Sequence, residues 1–231
     1  MTFLRRVDGA EERMDAPDVD ARHLEAALDD VTAVNRWLGG RRALLRHLDA
    51  ALPAGRHRVL DVGTGAGDLP RAIAERERAR PVRITAVDLH PRTLEAARRR
   101  SRPGQGLLFA RADGLRLPFR DGAFDLALLS MTLHHMNGDA QVAILRELAR
   151  VARGGRVLVG ELERSVPSYA GARFLGATLW RRNPITRHDG PLSVLRSFTP
   201  AELRDLATRA GLREPRVHRH AFFRLVLLAD A

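Results

Sequence analysis

The sequence predicts an α/β fold in which a mostly parallel sheet is covered by helices on both faces. From Arg58 onward, short apolar runs alternate with helix-length amphipathic segments, which is the pattern of a doubly wound sheet. The glycine-rich turn 63–67 follows the first apolar run and leads into a helix. The last two strand-like runs are too close together for a parallel crossover. The sheet is therefore predicted to finish with one antiparallel strand.

The N-terminal segment is predicted to be helical. Apolar side chains recur at helical spacing over residues 20–38, and Gly39-Gly40 ends this first helix. A second helix is expected over residues 41–52, ending before Pro53.

The remaining elements follow from the same patterns. Strands are expected over residues 58–62, 82–87, 107–110, 124–129, 156–161, 216–220 and 222–228. Helices are expected over residues 69–78, 91–100, 140–151 and 200–210. Residues 165–197 fit no strand–helix unit and are predicted to form a lid-like insertion near the site. The sequence thus divides into a helical cap, residues 1–54, and an α/β domain, residues 55–231.

Composition narrows the possible classes of protein. The chain has 231 residues, of which 45% are hydrophobic and 29% charged, enough for a sizeable core and too apolar for a disordered chain. Cysteine is absent, which excludes disulfides, thiolate metal sites and cysteine nucleophiles. Residues 1–20 lack the apolar core of a secretory signal, and no apolar run reaches the roughly 18 residues that span a bilayer. We therefore expect a cytoplasmic protein without a membrane span.

The charge has two explanations. The formal net charge is +11, and all 39 basic residues are arginine. Such an excess can indicate an anionic partner such as nucleic acid. The total exclusion of lysine equally fits GC-rich codon usage acting on a surface that is indifferent to the cation. Because most arginines alternate with acids or lie on helical faces, we favour the second explanation and expect no nucleic-acid partner.

The glycine turn carries the strongest functional signal. Its spacing, Gly63-Thr64-Gly65-Ala66-Gly67, differs from the dinucleotide pattern G-x-G-x-x-G. Asp61 stands two residues before the first glycine, and a carboxylate there would repel a pyrophosphate seated on the turn. It suits a cationic ligand such as an ammonium or a sulfonium, which favours S-adenosylmethionine over a dinucleotide. An ordinary tight turn is the alternative.

Two further acidic residues follow strands. Asp88 lies 21 residues beyond Gly67 (88 − 67) and can accept hydrogen bonds from ribose hydroxyls. Asp113-Gly114 follows the third strand and precedes the apolar run Leu117-Pro118-Phe119. There a carboxylate can accept from an adenine amino group while apolar neighbours enclose the ring, although Asp113 alone also fits a turn residue.

In this order the motifs resemble the class I S-adenosylmethionine-dependent methyltransferases, and within them the small-molecule branch of quinone-biosynthesis and secondary-metabolite enzymes. The segments that carry the resemblance are 61–67, 87–88, 112–119, 124–130 and 148–155. The resemblance implies a Rossmann-like seven-stranded sheet of order 3-2-1-4-5-7-6 with strand seven antiparallel. It also implies S-adenosylmethionine as cofactor, bound by Asp61, Gly63, Thr64, Gly65, Gly67, Asp68, Asp88, Leu89, Asp113, Gly114 and Ser130.

Three histidines are candidate catalytic residues. His134 and His135 follow the fourth strand, at the sheet edge where open α/β sheets build their sites. An imidazole can take a proton near neutral pH, but this pair can equally cap a helix or hold a loop. His188 beside Asp189 is either a base or a turn residue before Gly190-Pro191. No Asp-Asp-Asn-like cluster is present, so we expect no metal.

The methyl acceptor is inferred by elimination. The chain lacks the Asn/Asp-Pro-Pro-aromatic tetrad of amino-methylating nucleic-acid enzymes, the cysteine of cytosine C5 enzymes and a pair of glutamates over residues 130–139. A small phenolic, enolic or quinol-like metabolite remains, methylated on O or C. The aromatic and aliphatic residues of the insertion would form the acceptor wall, namely Tyr169, Phe174, Leu175, Leu179 and Trp180. The alternatives are an RNA or ribosome methyltransferase, or a cofactor-binding protein without transferase activity, and the chain is expected to be a monomer or homodimer.

Overall fold

The strands lie in the predicted order. The structure, a computed structural model, describes residues 4–16, 18–52, 55, 57–79 and 82–231. The described ranges contain a seven-stranded sheet of order β3-β2-β1-β4-β5-β7-β6. Its strands are β1 (His57–Val62), β2 (Val82–Asp88), β3 (Leu107–Arg111), β4 (Leu126–Ser130), β5 (Arg156–Leu162), β6 (Arg213–His220) and β7 (Arg224–Asp230). Within these ranges β7 runs in the opposite direction to the other six strands, so the predicted fold class is confirmed.

Helices cover both faces of the sheet because side chains of each strand alternate between the faces. Leu60 and Val62 of β1 pack into one core cluster, and Val59 packs into the other. The helices are α1 (Ala21–Trp37), α2 (Gly40–Arg46), α3 (Leu48–Ala51), α4 (Asp68–Arg76), α5 (Pro91–Arg99), α6 (Asp139–Val151), α7 (Val166–Ala177), α8 (Pro184–Arg196) and α9 (Pro200–Arg209). No helix in the described ranges is both long enough and apolar enough to cross a bilayer.

The prediction of one continuous second helix is wrong. The segment is divided at His47 into α2 and α3. The His47 ring packs 4.5 Å from the His218 ring, centroid to centroid, and its Nε2 lies 2.9 Å from His220 Nε2. These contacts with the edge strand β6 fix the side chain where the helix breaks. The expected stop at Pro53 falls outside the described residues.

The start of the last strand is also corrected. Phe222 and Phe223 have φ angles of 58° and 57°, so they form the turn before β7. The Phe223 carbonyl accepts a hydrogen bond from the Glu163 amide, which ties this turn to the end of β5. Alternating hydrophobicity over residues 222–228 does not distinguish an aromatic turn from an aromatic strand end.

The insertion forms the helical pair α7 and α8, and no turn is formed at Gly190-Pro191. Pro191 lies inside α8. A Cβ at Gly190 would lie 2.5 Å from Trp180 Cζ3, so the glycine allows close packing that a larger residue would prevent. This packing holds the segment helical where its sequence indicates a turn. The lid role of residues 165–197 stays a prediction.

Candidate active site

A cavity of about 370 Å³ lies at the carboxyl ends of β1, β2 and β4. Ligands of open α/β sheets bind at this edge. Ten of the eleven residues expected to bind the cofactor line the cavity, from Asp61 to Ser130. The exception among them is Gly67, which is the N-cap of α4 and packs against Ala97 and Phe109.

The glycine loop has a backbone that only glycine adopts without strain. Gly63, Gly65 and Gly67 have φ angles of 66°, 56° and 72°. The Gly65 amide donates to Asp88 Oδ2 at 2.9 Å, which fixes the loop to the end of β2. A Cβ at Gly65 would meet no described atom within 4 Å and would point into open space. The loop therefore presents bare backbone to a ligand.

The carboxylates around this loop are buried or half-buried. Asp61 is 2% exposed and accepts a 2.6 Å hydrogen bond from Thr64 Oγ1. Burial raises the pKa of Asp61 to about 7, and the charges of Asp68 and Asp88 add to this rise. Burial likewise raises the pKa values of Asp68 and Asp88. A cationic ligand would relieve this excess of negative charge, whereas a pyrophosphate would increase it.

The far end of the cavity can hold a ribose and a flat ring. Asp88 Oδ1 accepts from the His90 amide, and the next side chain, Leu89, is 57% exposed and lines the cavity. Asp113 Oδ1 accepts from the Leu115 amide, so it is a turn residue that also faces the cavity. A Cβ at Gly114 would lie 2.9 Å from Ile144 and Val62, so only glycine fits beside them.

His134 forms part of the cavity wall and is held rigidly there. It is 1% exposed, and its Nδ1 lies 2.7 Å from Glu161 Oε2. Glu161 Oε1 accepts from the Leu133 amide at 2.8 Å. Arg196 donates to the carbonyls of His134 and His135, so the backbone of the pair is fixed from α8. The structure therefore supports the interpretation of a held loop and also places the pair at the cavity.

His135 is a cation near neutral pH. Its Nδ1 lies 2.6 Å from Asp15 Oδ2. Burial acts to lower the pKa of His135, but the carboxylates of Glu12 and Asp15 outweigh it and raise that pKa to about 9. A protonated imidazole is a poor proton acceptor. The proposed role of either histidine as a base stays a prediction.

Three acidic residues around His134 and His135 were not predicted from the sequence to be site residues. Glu12 and Asp15 come from the N-terminal segment, and no local pattern marks them. Glu161 stands near the end of β5. Because ligands of open α/β sheets bind at the carboxyl ends of the strands, this position could have identified Glu161 as a site residue.

The structure does not place His188 beside the other candidate catalytic residues, His134 and His135. Its side chain is 41% exposed, and its Nδ1 lies 2.7 Å from Asp189 Oδ1. It does not line the cavity at the glycine loop. Asp189 accepts from the amides of Arg13 and Met14, so it anchors the segment that carries Glu12.

A second cavity, of about 320 Å³, lies between α1, α7, α8 and the turn before β7. Phe174, Leu175 and Trp180 line it as the sequence predicts. Tyr169 and Leu179 do not belong to the wall that the described residues form. The two cavities share a wall made by Glu12, Met14, Val31, Asn35, Met131 and Ser193.

Arg224 is a buried cation in the second cavity. It is 3% exposed, and its Nη1 lies 3.3 Å from Met131 Sδ. Its Nε has no hydrogen-bond partner in the described part of the chain. Burial lowers the pKa of Arg224 to about 10, partly opposed by the Glu161 carboxylate. The guanidinium therefore remains charged near neutral pH and can accept an anionic oxygen as a partner.

Comparisons with known proteins agree with this geometry. Residues 59–155 match the model of a methyltransferase domain family. Over 118 residues the chain is 41% identical to a demethylmenaquinone methyltransferase of Thermus thermophilus, covering 50% of this chain and 52% of that protein. It is 34% identical over 118 residues to a 27-O-demethylrifamycin SV methyltransferase of Amycolatopsis mediterranei, covering 49% of this chain and 41% of that protein. The chain spans about half the length of these curated relatives.

The fold has solved counterparts. A SAM-dependent methyltransferase from Aquifex aeolicus has a TM-score of 0.64 and 16% identity, over 88% of this chain and 96% of that one. At this identity the likeness shows the fold alone. Residues 59–155 match a methyltransferase domain family, and the predicted resemblance of the chain to class I S-adenosylmethionine-dependent methyltransferases is confirmed.

Proposed function

We propose that this chain is an S-adenosylmethionine-dependent methyltransferase that acts on O or C of a small phenolic, enolic or quinol-like metabolite. The observation that carries the proposal is the wall shared by the two cavities. A cofactor on the glycine loop and an acceptor in the apolar cavity would meet at this wall. Methyl transfer needs such juxtaposition, because it is an in-line displacement between two bound molecules.

The chain's own residues would bind and orient the cofactor, which supplies an electrophilic methyl group when bound. Asp61 and Asp68 suit its cationic amino-acid end, and Asp88 suits its ribose hydroxyls. Leu89 and Gly114 offer surfaces for a flat ring. The buried carboxylates support a cationic ligand more than a phosphorylated one.

The acceptor class is supported by the second cavity. Its wall is mostly apolar, with aromatic side chains and the buried guanidinium of Arg224, whose Nε has no hydrogen-bond partner among the described residues. A flat apolar molecule carrying an ionisable oxygen would satisfy both features. The two curated relatives are methyltransferases of demethylmenaquinone and of 27-O-demethylrifamycin SV, which favours a small organic acceptor here as well.

The direct test is turnover with defined acceptors. The purified chain is incubated with S-adenosylmethionine and, in separate reactions, with phenols, quinols and total RNA. We expect the demethylated cofactor to accumulate only with a phenol or quinol. RNA-dependent turnover would favour the RNA methyltransferase. Cofactor binding without turnover on any acceptor would favour a binder that lacks transferase activity.

Filling the second cavity is expected to raise the acceptor KM and spare the cofactor. A Cβ at Gly171 on α7 meets no described atom within 4 Å, and this residue lines the cavity. Gly171→Leu should leave folding intact, since leucine favours helix by roughly 0.8 kcal/mol over glycine. We expect the acceptor KM to rise about tenfold, as loss of ~1.4 kcal/mol would give. Ala177→Leu, on the same helix and outside the cavity, is the matched control, and equal kinetics in both variants would contradict this placement.

Removing the buried cation of Arg224 is expected to lower the rate of methylation only for acceptors with an ionisable oxygen. Arg224→Met takes away a buried charge whose desolvation the Glu161 carboxylate offsets only in part, so the free energy of unfolding should change little. A charge-assisted hydrogen bond contributes about 1.5–3 kcal/mol, so kcat/KM should drop on the order of 10–100-fold. Steady-state kinetics with the acceptor and a neutral analogue measure this selectivity. Arg216→Met, on β6 and 71% exposed, is the control, and an equal drop for the neutral analogue would exclude an anion contact.

The remaining features stay predictions. The cytoplasmic location, the absence of a nucleic-acid partner and a monomeric or homodimeric state are expected from the sequence. Salt-dependent RNA binding with a steep slope would contradict the second of these, because neutralised phosphates release counterions.

A further inference from the structure

Two histidines and a glutamate converge where the cavities meet. His134 Nε2 lies 3.6 Å from Glu12 Oε1, and His135 Nε2 lies 3.8 Å from Glu12 Oε2. The three side chains each offer one donor atom, and these atoms lie within 4.8 Å of one another. Glu12 is 3% exposed and lines both cavities.

The other nitrogen of each imidazole is held by a carboxylate. His134 Nδ1 faces Glu161 at 2.7 Å, and His135 Nδ1 faces Asp15 at 2.6 Å. An ionised carboxylate only accepts hydrogen bonds, so each Nδ1 carries the proton. A metal ion that displaces a proton from Nε2 then meets its lone pair, and Nε2 of both rings faces Glu12. Metal-binding histidines have this arrangement, because the outer carboxylate fixes the tautomer and ring orientation.

The gap between these donors fits an ion better than a hydrogen bond. Both Nε2–Glu12 separations, 3.6 and 3.8 Å, exceed hydrogen-bond length, although the Nδ1 contacts of the same rings are short. A tetrahedral ion with bonds of about 2.1 Å holds its donor atoms about 3.4 Å apart. Small shifts of the three side chains would bring their donor atoms to the spacing that a metal ion requires. Ser193 Oγ donates to Glu12 Oε1 and fixes this carboxylate toward the rings.

The charges of the cluster also favour a cation. Glu12, Asp15 and Glu161 contribute three carboxylates around two imidazoles. The nearby guanidinium of Arg196 is engaged by the two histidine carbonyls. Once a divalent ion has displaced the Nε2 proton of His135, it balances two of the three negative charges. Two protons can do the same, so the distinction must come from metal binding itself.

We propose that Glu12, His134 and His135 form a binding site for a divalent first-row transition-metal ion such as Zn²⁺. Two imidazoles and one carboxylate suit such ions, whereas Mg²⁺ and Ca²⁺ prefer oxygen donors. Three protein ligands leave a coordination position free toward the cavities. This differs from the expectation of no metal, which rested on the absence of an Asp-Asp-Asn-like cluster. A role in binding the acceptor oxygen rests on the proposed function, but the site itself does not.

Co²⁺ and Zn²⁺ titrations of the chelator-treated full chain test the site. We expect one tightly bound equivalent, with visible Co²⁺ absorption of a low-coordinate nitrogen–oxygen site that Zn²⁺ abolishes. Glu12→Gln should lose this spectrum. Asp15→Asn, which removes only the outer carboxylate of His135, should weaken affinity about 10–100-fold. If these residues form only structural ion pairs, neither substitution should change Co²⁺ binding.

A second histidine cluster provides the control. His47, His218 and His220 pack together at the edge of the sheet and are the obvious place for surface metal binding. His218→Asn should leave the tight equivalent and its spectrum unchanged. Loss of that equivalent in His218→Asn but not in Glu12→Gln would overturn the proposal, as would a wild-type chain that binds no stoichiometric Co²⁺ or Zn²⁺. Calorimetry with S-adenosylmethionine on the same samples separates this failure from failure of the proposed function.

Discussion

Replacing Gly65 by alanine is expected to weaken S-adenosylmethionine binding on the order of 10–100-fold, because a methyl group inserted into a close contact costs about 1–3 kcal/mol. Gly65 has a φ of 56°, and its missing Cβ points into open space at the cavity. The folded chain without ligand has room for the added methyl group. The stability cost is therefore limited to the left-handed backbone, about 1–2 kcal/mol.

Gly211 provides a matched control for this strain. It has a φ of 84°, and its Cβ would also meet no described atom within 4 Å, but it follows α9 on the surface. Gly211→Ala should lower Tm as much as Gly65→Ala and leave cofactor affinity unchanged. Calorimetry and thermal melts measure both effects. Equal cofactor affinities in the two variants would show that the ligand does not contact the loop at Gly65.

The sequence predicts most of the fold because its signals are local. Strand and helix periodicities over a few residues specify β1, β4 and α6, and the glycine turn marks the cavity. The errors arise where a distant contact overrides a local pattern. His47 divides a helix by packing on β6, and Pro191 stays helical because Trp180 packs closely against Gly190 of α8.

The candidate site was predicted unevenly for the same reason. The cofactor residues follow strand ends, so their positions can be read from the order of elements. The partners of the histidine pair cannot. Asp15 lies 120 residues before His135 in the sequence, and Glu161 lies 27 residues after His134. Only the packing of the N-terminal segment on α8 brings Glu12 to this place.

Replacing Asp61 by asparagine is expected to stabilise the free chain while weakening cofactor binding. The pKa of Asp61 rises on folding from 3.8 to about 7 because burial disfavours the carboxylate. The folded state therefore binds the proton more tightly than the unfolded state. The stabilising contribution of Asp61 is fully present below pH 3.8 and is lost as pH rises through about 7. Asparagine stays neutral, so Asp61→Asn should gain roughly 1–3 kcal/mol at alkaline pH and nothing at acid pH.

Cofactor binding should show the opposite dependence, since a cation favours the ionised carboxylate. Wild-type affinity should rise as pH increases through about 7, where Asp61 ionises. In Asp61→Asn the affinity should be about 10–100-fold weaker at alkaline pH and should rise less steeply. Asp205→Asn, an exposed change of the same formal charge on α9, should alter neither profile. If Asp61→Asn binds S-adenosylmethionine as tightly as the wild type above neutral pH, the carboxylate does not face the cationic end of the ligand, because opposite stability and affinity effects follow only from such a contact.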